Sequence, residues 1–124
     1  MKEVSGEFSV ELVPQMDDPV PVGRVLIEKQ YSGALIGCGK GQMLSKRTED
    51  GAAGYVALEE FEGRLDGREG SFTLMHLGIM YGGESELNVQ VVPGSGTGAL
   101  AGIRGVLHID IESGKHRYRF VYEG

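Results

Sequence analysis

Cysteine is nearly absent. Cys38 is the only one, so no disulfide can form within the chain. A lone thiol between glycines reads as a small packing residue in a reducing compartment, and a cytoplasmic protein is expected. No apolar run approaches the roughly 20 residues that a membrane helix needs. The opening MKEVSGEFSV alternates from the start and carries no apolar leader core. Positive charge is scarce: 12 Lys+Arg stand against 18 Asp+Glu, a formal net charge of -6. That balance speaks against nucleic acid and against anionic membrane surfaces as partners. The histidines, His76, His108 and His116, show no His-x-His or His-x-x-x-His spacing. No metal site and no cofactor is therefore expected. Helical periodicity is also missing at any useful length.

Glycine is abundant, with 21 in 124 residues, against a usual ~7%. The glycines recur at turns and within alternating runs, as tight hairpins and curved strands require. Alternation predicts eight strands: Val4–Val13, Val22–Tyr31, Ala34–Lys46, Gly54–Leu65, Ser71–Tyr81, Glu84–Val92, Gly98–Ile111 and His116–Glu123. Short connectors separate most of them: Ser32-Gly33, Asp50-Gly51, Asp66-Gly67, Gly82-Gly83 and Ser113-Gly114. The stretch Pro14 to Pro21 reads as a longer loop. Short connectors make sequential strands antiparallel neighbours. The fold expected is all-β, a single domain over residues 1–124, closed into an antiparallel eight-stranded up-and-down barrel. A two-sheet sandwich is the alternative.

Two hairpins can be read in register. Around Ser113-Gly114, Ile109 faces Tyr118, Leu107 faces Phe120 and Gly105 faces Tyr122, while Asp110 meets Arg117 on the other face. The apolar set belongs inside and the charged set outside. Around Asp66-Gly67, Phe61 faces Phe72, Glu59 faces Leu74, Ala57 faces His76 and Tyr55 faces Gly78. Glu59 and His76 then become diagonal neighbours on the inner face. On the outer face Met75, Leu77 and Ile79 interrupt a solvated pattern and suggest a homo-oligomer contact. Gly37, Gly39 and Gly41 share one face. A two-residue turn at Ser32-Gly33 would set them opposite Glu28, Leu26 and Arg24, and curvature is their expected role.

These positions define the candidate site. Glu59 and His76 are the candidate catalytic pair, a carboxylate and an imidazole able to hold and move a proton. Tyr55, Glu59, Phe72, His76, Tyr118 and Tyr122 are the candidate ligand contacts. The function expected is binding of a small, largely apolar ligand in the barrel interior. An isomerase or cyclase using Glu59 and His76, and a filled barrel serving self-association, are the alternatives.

VVPGSGTGALAG (Val91 to Gly102) contains a G-x-G-x-x-A run resembling a dinucleotide turn, but an alternating strand follows it rather than a helix. It reads instead as a barrel corner, a Pro93–Thr97 connection setting Val91 opposite Ala99. Together with Gly54-Tyr55, Glu59, Gly63, Gly67-Arg68, Gly70-Ser71-Phe72, His76, Gly78, Gly105, His116, Tyr118 and Tyr122, this run resembles a bacterial domain family of unknown function. Members of that family are similar in fold to allene oxide cyclase, a small eight-stranded barrel. The resemblance implies the fold and carries no activity.

Overall fold

A computed structural model describes residues 1–16 and 20–124. Its strands are β1 (Lys2–Gln15), β2 (Gly23–Gly33), β3 (Leu35–Arg47), β4 (Ala53–Leu65), β5 (Arg68–Tyr81), β6 (Glu84–Val91), a two-residue β7 (Thr97–Gly98), β8 (Arg104–Glu112) and β9 (Lys115–Glu123). Among the described residues there is no helix. Antiparallel neighbours run β4-β3-β2-β1-β9-β8-β6-β5, and β4 pairs with β5 to close the ring. The result is an eight-stranded antiparallel barrel, with β7 as a short addition on β5. The ladder between β6 and β8 is a single pair, Gln90 with Val106, so this is the least tied seam of the wall.

Local chemistry sets the two hairpins that were legible. Asp66 and Gly67 have φ of 49° and 80°, and Ser113 and Gly114 have 51° and 78°. Positive φ at both central residues marks the turn whose twist matches a β-hairpin. Every pairing expected around them is present, from Leu65–Arg68 to Tyr55–Gly78 and from Glu112–Lys115 to Gly105–Tyr122.

One end of the barrel is solid. Phe61, Phe72, Phe120 and Tyr122 form a chain of rings, with centroids 5.0, 5.7 and 5.2 Å apart. Leu35, Leu65, Leu74, Leu100 and Ile103 fill around them, all buried. Each such side chain contributes about 1.5–3 kcal/mol by leaving water. The other end opens into a cavity.

Three local readings are corrected. First, Gly37, Gly39 and Gly41 pair with Tyr31, Lys29 and Ile27, not with Glu28, Leu26 and Arg24. The β2–β3 ladder ends at Tyr31–Gly37, so the turn centres on Ala34 rather than on Ser32-Gly33, and the shift of three positions exchanges which face of β2 points inward. Second, the strand expected over Gly98–Ile111 is broken. After Thr97–Gly98 the chain turns through bonds from Leu100 N to Thr97 O and from Ile103 N to Leu100 O. Val91 pairs with Leu74, not Ala99. The positive φ of Gly98 and Gly102 bends the segment so that Leu100 and Ile103 plug the solid end. Third, Pro14 lies within β1, opposite Val25. The ladder with β9 ends at Phe8–His116, so the missing proline N–H faces no partner strand. Residues 17–19 of the expected Pro14–Pro21 loop lie outside the described residues.

Candidate functional site

The chemistry collects where β2, β4 and β5 face one another across the interior. Glu59 on β4 is fully buried, and its flanking residues on that strand, Ala57 and Phe61, point the same way. Between β4 and β2 runs β3, which carries glycines at 37, 39 and 41. With no side chains there, Lys29 on β2 reaches across the bare backbone to Glu59. Lys29 Nζ donates to Glu59 Oε1 at 2.9 Å. His76 on β5 brings Nε2 to the same oxygen at 2.9 Å. Tyr31 donates a short hydrogen bond to Oε2. Lys29 and His76 are themselves buried, at 5% and 4% exposure.

A buried carboxylate without partners would be neutral at pH 7. Here burial pushes Glu59 up, but the hydrogen bond from His76, the Lys29 charge and the Tyr31 hydroxyl outweigh it and hold the carboxyl down to about 2. Glu59 is therefore an anion that accepts from every partner, and His76 must carry its proton on Nε2 to donate. The Tyr31 hydroxyl is driven well above its ordinary range, first by burial and then by the adjacent Glu59 charge. It stays a donor.

Above this cluster lies a cavity of about 420 Å³. Lys29 and His76 form its polar floor; Phe8, Val10, Ile27, Met43 and Ile109 form apolar walls. Tyr55, Arg47 and His116 stand nearer the mouth. Tyr55 is half-buried and its ring lies across Gly78, where a methyl group would stand 2.1 Å from Cε1. Burial raises its hydroxyl pKa. Among the described residues, no group of three His, Cys, Asp or Glu side chains could hold a metal ion.

The expected site residues separate into two groups. His76 and Tyr55 line the cavity, and Glu59 sits behind its floor. Phe72, Tyr118 and Tyr122 belong to the solid end. The Tyr118 hydroxyl accepts from Leu35 N at 2.8 Å and donates to Ser32 O at 2.7 Å. The Tyr122 hydroxyl donates to Asp66 Oδ2 at 2.8 Å. Sequence reasoning missed Lys29 and Tyr31. Their strand's inner face depends on where the β2–β3 turn is centred, at Ala34, which turn composition alone did not reveal.

Comparison with known proteins gives a family. Residues 4–122 match the family described as protein of unknown function, DUF3224. A crystal structure of a DUF3224 protein of unknown function from Shewanella oneidensis MR-1 superposes with a TM-score of 0.94. It shares 42% identity, over 99% of this chain and 96% of that one. No curated protein matches. The match spans nearly all of the barrel: the chain belongs to the DUF3224 family.

Proposed function

We propose that the protein binds a small, largely apolar molecule in the open half of the barrel, with the polar end of the ligand at Lys29 and His76. The observation that carries this reading is the cavity itself. Its roughly 420 Å³ lies within the range of small-molecule sites, and its mainly apolar walls end on two buried polar side chains. The test is to plug the mouth. Ala53 lines the cavity and is only partly exposed. Ala53→Phe should abolish thermal-shift responses to apolar ligands and the retention of co-purified molecules in native mass spectrometry. Retention of ligand by that variant would refute the reading.

A second reading, proton chemistry of the isomerase or cyclase type, is supported by a carboxylate that orients an imidazole facing a cavity. In it His76 is the base and Glu59 the group that fixes its tautomer. Solvent-deuterium incorporation into a bound carbonyl compound, lost in His76→Gln, is the measurement; no incorporation by the parent protein would remove this reading.

Self-association through the outer face is supported by Leu44, Val56, Leu58, Met75, Leu77 and Ile79, all exposed on adjacent strands. Gln42, Gln90, Asn88 and Glu86 border them in register, an apolar centre with a polar rim. The occupant fitting this reading is a second copy of the chain. A cytoplasmic setting accords with the single cysteine.

A further inference from the structure

We propose that the cavity takes its ligand by a carboxylic acid head, bound together with one proton that rests on Nδ1 of His76. This deepens the ligand-binding reading and rests on it.

Two atoms on the floor are left with hydrogen-bonding capacity. Lys29 Nζ has three N–H donors. One goes to Glu59 Oε1, and the Phe8 ring lies 4.6 Å away on another side. At least one N–H remains for a ligand. His76 is the second. Its Nε2 is committed to Glu59, and Nδ1 has no hydrogen bond to a described residue. Nor is Nδ1 a sealed, unpartnered atom; among the described residues Arg68 Nη2 is the one such side-chain atom. It therefore opens onto the cavity that His76 lines. A donor and an acceptor beside each other match a head that offers an acceptor and a donor in turn. A carboxyl group offers the two from neighbouring oxygens, where a hydroxyl must offer both from one atom.

Charge decides the proton. The Glu59 anion is already balanced by the Lys29 cation. A bare carboxylate would be an uncompensated charge in a buried site, and such charges are strongly disfavoured. The groups facing the head are Lys29 from β2, Tyr55 from β4 and His76 from β5, with Tyr31 of β2 and Glu59 of β4 behind them. His116 on β9 and Arg47 on β3 stand further out, at the mouth. Of these, Tyr31 and the Nε2 proton of His76 are committed to Glu59, Lys29 keeps an N–H for the ligand, and Nδ1 is the open acceptor of the imidazole. The step balances simply: carboxylate, a proton from water and neutral His76 become a carboxylate paired with imidazolium. No covalent bond is made or broken apart from that proton transfer. Among the described residues no Asp or Glu lines the cavity to compete for it.

The experiment is calorimetric titration of the parent protein with four ligands of one tail: octanoate, octanamide, 1-octanol and octylammonium. Octanoate should bind best and take up about one proton, read from buffers of different ionisation heat. Where both free partners are deprotonated, its affinity should fall about tenfold per pH unit. Octanol should bind about tenfold or more weaker, and octylammonium weakest. His76→Gln should abolish the proton uptake while octanol still binds. If that variant does not fold, the pH slope of the parent protein decides. Octanoate binding without proton uptake, or octanamide or octanol matching octanoate at neutral pH, overturns the inference and leaves cavity binding standing. If none of the four binds, both fall.

Discussion

Gly39 and Glu59 are packed so closely that a methyl group on the glycine would stand 2.0 Å from Oε2 of the carboxylate. The glycine is thus a space requirement of the charge cluster as well as a point of curvature. Gly39→Ala should displace the carboxylate from its partners and lower Tm by roughly 5–10 °C. In a Glu59→Ala background the same change should cost less than ~1 kcal/mol, because the clashing group is gone. Equal costs in the two backgrounds would show that the contact is not the cause. Thermal and urea unfolding measure both.

The Lys29–Glu59 pair predicts a large asymmetry between single and double changes. Glu59→Gln leaves the buried Lys29 ammonium without its counter-charge and should cost about 3–5 kcal/mol in urea unfolding. Replacing both, as Glu59→Leu with Lys29→Met, should recover much of that loss, since apolar substitution of a whole buried pair is often close to neutral. A Glu59→Gln cost below ~0.5 kcal/mol would mean that the charge contributes nothing.

Acid stability follows from the same carboxylate. Its folded pKa, near 2, lies below its unfolded value of 4.5. The stabilisation is therefore complete above the unfolded value and lost as pH falls toward the folded one. Roughly 3 kcal/mol should disappear between about pH 5 and pH 2. Other carboxylates titrate in the same window, so the quantity to measure is the difference between parent and Glu59→Gln. That difference should shrink as pH falls. A constant gap would contradict it.

Tyr118 should behave as a structural residue. Its hydroxyl joins Ser32 O to Leu35 N across the β2–β3 turn. Tyr118→Phe leaves both backbone groups unsatisfied and should cost about 1–3 kcal/mol. Cavity ligands should bind with unchanged affinity, as measured by calorimetry.

Leu58→Glu combined with Leu77→Lys places charges on the exposed outer face. If that face joins two copies, sedimentation should report a lighter particle with unchanged circular dichroism. A parent protein already monomeric at 100 μM or so would end the self-association reading, since a useful interface holds at that concentration.

Turn chemistry and alternation in the sequence point to an all-β barrel over a sandwich and set Glu59 beside His76. Asp66-Gly67 and Ser113-Gly114 favour positive φ locally, and once a two-residue turn is given, every pair along the hairpin follows. The rest of the site was hidden by one turn. The β2–β3 connection is held by Tyr118, 86 positions beyond Ser32 in the chain, so its register is a tertiary contact and not a local preference. Shifted by three positions, it turned Lys29 and Tyr31 inward. In the same way Val92–Ile103 became a plug because Leu100 and Ile103 find an apolar end to fill, with Ala99 N bonded to Glu69 O. Period-two patterning determined which faces exist. Only packing across the closed barrel decided which face of β2 meets Glu59, because a one-sided strand pattern does not record the strand that will lie beyond its neighbour.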